Sequence, residues 1–203
     1  MTEVNEQQVN KPWPLIVMVS MLAVVILAGL LLRPRTDEQK LQWLSLLGTT
    51  NHGELMNPPL AVDTNLFRDA KGAPWTALDD TNWKLLVVNN GVCAVECEEM
   101  IYLARQVHSR LNRRAPYLDR ALLNFGASGL NMEQLTGSYP DLQIVDADYS
   151  AYRTWIAGSN LEAQDQVVML LINPIDVVQM FYTSSHEGNG LLGDLEHLMK
   201  LAN

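Results

Sequence analysis

The chain has 203 residues, of which 14 are Lys or Arg and 23 are Asp or Glu, for a net charge of −9. That balance, with no long basic run or aromatic-basic stripe, excludes an electrostatic nucleic-acid binder. Hydrophobic residues make up 48% of the chain, which excludes disordered and fibrous classes, and only two cysteines are present.

In chain order, residues 1–13 form a short tail, followed by an apolar segment from Pro14 to Leu32 without a single charge. At about 1.5 Å of rise per residue it nearly spans a hydrocarbon core of about 30 Å, so it is expected to be a transmembrane helix. Trp13 stands at one end, and Arg33 and Arg35 at the other, where interfacial anchors belong. A signal peptide would have a shorter apolar region closed by small residues, and Leu30 to Arg33 offers no such cleavage site. The expected result is an uncleaved single-pass anchor.

Orientation pits two signals against each other. Lys11 precedes the segment, whereas Arg33, Arg35 and Lys40 follow it, and this would put the large domain in the cytoplasm. A cysteine pair, however, serves as a disulfide mainly outside the cytoplasm. The chemistry is preferred, with the soluble domain on the far side of the membrane.

Residues 33–59 read as a juxtamembrane helix (Thr36 to Leu47) and a turn-rich loop or short hairpin (Gly48 to Pro59). Residues 60–203 read as one domain. Leu60 to Thr81 is expected to wrap a sheet edge. Trp83 to Asn89 is an apolar, β-branched strand, and Ala94 to Arg114 a helix whose Met100, Ala104, Val107 and Leu111 share one face. Then come a strand at Arg120 to Phe125, a short helix at Asn131 to Thr136, a strand at Leu142 to Val145 and a helix at Tyr149 to Ile156. Val167 to Ile172 and Val177 to Tyr182 are strands joined by the turn Asn173-Pro174-Ile175-Asp176. Gly190 to Ala202 closes the chain as an amphipathic helix with Leu191, Leu192, Leu195, Leu198 and Leu201 inward. The order gives an α/β fold, a thioredoxin-like mixed central sheet flanked by helices.

The chemistry is expected at Cys93 and Cys97, where a strand breaks into a loop and then a helix. Unpaired N–H groups in a first helical turn favour thiolate over thiol, while Glu96, Glu98 and Glu99 oppose it. Thiols four residues apart on a helix share a face, so they can close a disulfide or converge on a soft ion such as Cu(I). Acidic pairs at Asp79-Asp80 and at Asp146 and Asp148 read as solvated loops, and most methionines as core.

The stretch from Trp83 to Arg105, with Gly91-Val92-Cys93 leading into the CxxxC of Cys93 and Cys97, resembles the Sco/SenC-type copper chaperones. Asp165 to Tyr182 is similar to that family's final hairpin, and the Asn51-His52-Gly53 loop to anchored thioredoxin-like proteins of bacterial oxidase-assembly clusters. The resemblance implies a bacterial inner-membrane protein with a periplasmic domain that assists cytochrome c oxidase assembly. Its partners would be the membrane and an oxidase subunit or assembly factor, with copper as a possible cofactor. Where the family carries prolines near its cysteines, Ala94 and Glu98 stand here. Where it carries a ligand histidine after an aspartate, this chain has Asp165-Gln166. His186, after the last strand, is the candidate third ligand beside Cys93 and Cys97, and His52 is a weaker one; His108 and His197 read as surface or packing residues. Two alternatives remain: a general thiol-disulfide oxidoreductase, and a non-catalytic membrane-tethered scaffold with a structural disulfide.

Overall fold

The computed structural model describes residues 13–32, 51–63, 65–75, 82–89, 93–126 and 132–201. It contains two compact units, Met1–Thr49 and Thr50–Asn203. In the first, Trp13–Leu32 forms a 20-residue helix, α1, without a charge. Trp13, Ile16, Met18, Leu22 and Leu27 are among its large exposed side chains. Side chains 14, 15, 25 and 28–32 lie outside the description, and among the described residues no helix is long and apolar enough to cross a membrane. The juxtamembrane helix expected at Thr36 to Leu47 also lies outside the described residues.

The second unit is built on a seven-stranded sheet in the order β1-β7-β6-β3-β4-β5-β2. The strands are β1 (Glu54–Ala61), β2 (Arg68–Asp69), β3 (Trp83–Val88), β4 (Leu118–Asn124), β5 (Leu142–Asp146), β6 (Val168–Ile172) and β7 (Val177–Thr183). Strands β3, β4 and β5 run parallel, and β6, β7, β1 and β2 each pair antiparallel with their neighbours. The helices are α2 (Val95–Arg110), α3 (Met132–Ser138), α4 (Tyr149–Ile156) and α5 (Gly188–Leu201).

Every residue of β3 is buried because the strand is central and covered on both faces, which its near-continuous apolar run anticipates. Trp83, Leu85 and Val87 pack with Met100, Ala104 and Val107 of α2 and Leu191 and Leu195 of α5. Leu86 and Val88 face the other way, onto Tyr152 and Ile156 of α4. The exception is Lys84, whose buried ammonium pairs with Asp176 in the β6–β7 turn.

Two segments differ from expectation. The expected loop ending at Pro59 is instead strand β1, paired with β7 in an irregular register between Leu55 and Leu60. Pro58 and Pro59 are tolerated because β1 is an edge strand, where a missing N–H breaks no central ladder. The long helix ends at Arg110, not Arg114, and continues as a 3₁₀ turn at Asn112–Tyr117. Asn112 has φ 51°, a left-handed conformation that stops an α-helix, and Pro116 lies within the turn. Leu60 to Thr81 contributes β2 at the edge opposite β1.

Register fixes which ends meet. Val88, the last residue of β3, pairs with Val168, the first of β6, and Val168 pairs with Thr183, the last of β7. Glu54 at the start of β1 faces Phe181. The exit of β3, the entry of β6, the exit of β7 and the entry of β1 therefore share one edge.

Candidate functional site

At this edge Cys93 precedes α2 and Cys97 occupies its first turn. The two sulfurs are joined in a disulfide across a Cα–Cα distance of 5.1 Å, within the usual range for such a bond. Ala94 caps α2 with no side-chain hydrogen bond. Its carbonyl accepts from the N–H groups of Cys97 and Glu98 at 3.0 and 3.1 Å. Cys97 is fully buried and Cys93 is 6% exposed, both within the core on the α2 face.

His186 lies in the turn after β7, which the register brings to the same edge as the cysteines. Its Nδ1 accepts the Thr183 N–H at 3.0 Å and lies 3.0 Å from Thr183 Oγ1. That use of the Nδ1 lone pair puts the proton of the neutral ring on Nε2. His186 also meets the Tyr182 ring edge-on, with centroids 5.8 Å apart.

His52 is held differently. Its Nδ1 lies 3.2 Å from Oδ1 of Asp194, and its backbone N–H donates to the same carboxylate at 2.9 Å. Gly53 N–H and the Tyr182 hydroxyl donate to Asp194 at 3.0 and 2.9 Å. A carboxylate on Nδ1 sets the tautomer whose Nε2 lone pair is free, the arrangement that metal-binding histidines use. The His52 side chain is 63% exposed and that of Asp194 only 3%. The Tyr182 hydroxyl also contacts the Met180 sulfur. Burial, then the Asp194 charge, push its pKa far above the ordinary phenol value.

Asp194 is the residue that sequence reasoning missed. It interrupts the leucine stripe of α5, between Leu191 and Leu195, and an acid on an apolar face was the available signal. Gln166 is exposed and its side-chain amide donates to Gln164. His197 is exposed and His108 half-buried. Asp148 caps α4 by accepting the Ala151 N–H, and Asp146 accepts from Asn124; Asp79-Asp80 lies outside the described residues. Met100, Met169, Met180 and Met199 are buried core, as expected.

As a donor set for copper, the disulfide form does not fit. Both sulfurs are spent in their bond, and among the described residues no three of His, Cys, Asp and Glu cluster as metal ligands. Reduction is what would free two thiolates for a soft ion.

Residues 83–202, more than half of the sequence and including both cysteines, match the family model described as the transmembrane-like, thioredoxin-like, C-terminal domain. The chain belongs to this family. The transmembrane-like, thioredoxin-like domain has structural neighbours in the Sco family. Yeast Sco1 with copper bound aligns with a TM-score of 0.52 at 9% identity, covering 75% of this chain and 94% of that one. Arabidopsis thaliana ScoI with copper bound gives 0.51 at 12%, covering 70% and 97%. BsSco, a member of the Sco family of cytochrome c oxidase assembly proteins, gives 0.52 at 12%, covering 71% and 96%. At these identities the likeness establishes the thioredoxin-like fold. No curated protein matches the sequence.

Proposed function

We propose that the protein is a membrane-anchored, thioredoxin-like accessory factor for cytochrome c oxidase assembly that works by reversible thiol–disulfide exchange at Cys93 and Cys97. The observation carrying this reading is the disulfide itself, placed where β3 hands over to α2. A partner thiolate would attack the Cys93 sulfur, the more exposed of the two. The S–S bond breaks, a mixed disulfide forms, and the electron pair leaves on Cys97. A second partner thiol then releases reduced protein and carries away the partner's own disulfide. The first turn of α2 stabilises the departing Cys97 thiolate through its unpaired N–H groups and dipole. Glu96 and Glu98 in the same turn limit that stabilisation.

Copper enters this reading as cargo of the reduced form, in line with the copper-bound Sco neighbours. A disulfide switch has been identified in BsSco, which supports redox control of such a site. The anchor in this reading is the uncharged segment from Pro14 to Leu32, inferred from its sequence and its flanking Trp13, Arg33 and Arg35. The domain is placed in the periplasm of a bacterial inner membrane because a disulfide persists there.

The test is a redox titration of the full chain in detergent, followed by Cu(I) titration of the reduced protein against a competing chelator. A midpoint near those of thiol-exchange proteins, about −120 to −270 mV, supports exchange. One Cu(I) bound per chain, lost in Cys93→Ser and in Cys97→Ser, adds copper handling. Burial of both sulfurs in the core favours a second reading, a scaffold with a structural disulfide. A midpoint below about −300 mV would establish it.

A further inference from the structure

We propose that the pocket at the entry of β4 and β5, at the opposite end of the sheet from the cysteines, binds a small monocarboxylate through the guanidinium of Arg120. Leu118, the first residue of β4, pairs with Trp83, the first of β3, so this end is remote from the disulfide along the strands. Arg120 lies between Leu118 and Leu122 on the strand face that packs under α2. It is 4% exposed and lines a cavity of about 340 Å³. That volume is at the lower end for small-molecule sites.

The guanidinium is short of acceptors. The acid it pairs with is Asp141, with Oδ2 3.7 Å from Nη2, too far for a hydrogen bond. Buried Nη1 has no hydrogen-bond partner among the described residues. A buried donor without an acceptor is costly, and a buried arginine whose fork is open is a site awaiting one. The planar fork matches two carboxylate oxygens in a bidentate pair.

The surrounding charges choose the class of anion. Asp119 and Asp141 both line the cavity, and they repel a dianion more than a monoanion. His108, also in the wall, adds no compensating charge: burial first, then Arg120, lower its pKa. Asp141 is 79% exposed at the rim, free to move aside as a ligand takes its place.

The test uses the full chain in detergent, labelled with ¹⁵N-arginine, at pH 7 and constant ionic strength. The Arg120 Nε–Hε signal, assigned by its loss in Arg120→Lys, is followed during titration with sodium acetate and separately with inorganic phosphate. A saturable acetate shift exceeding that of phosphate is expected. Asp141→Asn, whose folding is first checked by thermal unfolding because it removes the acid beside a buried guanidinium, should tighten acetate binding by about three- to tenfold, because one competing charge is removed. No saturable shift would mean that the fork holds only water and would overturn the site. Phosphate binding as tight as acetate would overturn the monocarboxylate, and an unchanged acetate affinity in Asp141→Asn would overturn the location.

Discussion

The buried carboxylate of Asp194 in α5 takes both the backbone N–H and the ring Nδ1 of His52, 142 residues away in sequence. Through Tyr182 it also reaches the end of β7. One side chain thereby ties the chain entering β1 to the terminal helix and to the core beside the disulfide. Asp194→Ala strands four buried or part-buried donors, two on His52, the Gly53 N–H and the Tyr182 hydroxyl, and thermal unfolding should show a loss of about 2–4 kcal/mol. Tyr182→Phe removes one of these bonds and should cost about 1 kcal/mol. Because the groups share one acceptor, the double variant should lose less than the sum; strict additivity would mean that the network does not act as a unit.

Two glycines allow this approach. A Cβ on Gly53 would lie 2.6 Å from the Tyr182 ring, and one on Gly190 would lie 2.6 Å from the His52 Cβ. Gly53→Ala and Gly190→Ala should each destabilise by about 1–3 kcal/mol. Gly137, inside α3, has open space around its Cβ position. Gly137→Ala should instead be neutral or stabilise by up to about 1 kcal/mol, through helix propensity. Denaturant midpoints of the three variants check the contrast.

Lys84 and Asp176 invite a different substitution pair. Lys84 is 1% exposed and its side-chain partner is Asp176, whose side chain is 45% exposed. Asp176→Ala leaves an uncompensated buried ammonium, which costs about 3–5 kcal/mol in a fully buried pair and less here because Asp176 reaches solvent. Lys84→Met fills similar volume without the charge and should be close to neutral or stabilising. Chemical denaturation of both variants distinguishes a pair that stabilises from one that merely satisfies itself.

Stability should also respond to pH through His108. Its pKa is lowered in the folded protein, by burial first and by Arg120 second, from the ordinary value of 6.5. The unfolded chain therefore binds a proton that the folded chain resists. This contribution is fully present above pH 6.5 and is lost as pH falls from there through the lowered folded value. His108→Gln should flatten that limb of the stability profile measured by urea unfolding; an unchanged slope would remove His108 as its source.

The histidine candidates show where sequence reading stopped. His186 follows the last strand in the sequence, and the register of β3, β6 and β7 puts its turn at the cysteine edge. The sequence could not show that Thr183 occupies its Nδ1, nor that Asp194 leaves the Nε2 of His52 free. In reduced protein supplied with Cu(I), His52→Ala is expected to weaken binding more than His186→Ala. The reverse order in a chelator competition would restore His186 as the better donor.

The sequence by itself determined the elements with a strong period. The uncharged α1, the apolar β3 and β6, the stripe on α2 and the boundaries of α4 were all legible because burial imposes its pattern residue by residue. It also showed that the two thiols can meet, since residues four apart across a helix start share a face. Tertiary structure alone decided the rest. β1 became a strand despite two prolines because it pairs at an edge, where β7 supplies the ladder. Asp194, Lys84 and Arg120 went inside despite their charge because distant residues shaped the surroundings of each. Partners brought together by folding, 92 residues apart for Lys84 and Asp176 and 142 for His52 and Asp194, leave no periodic mark in the chain.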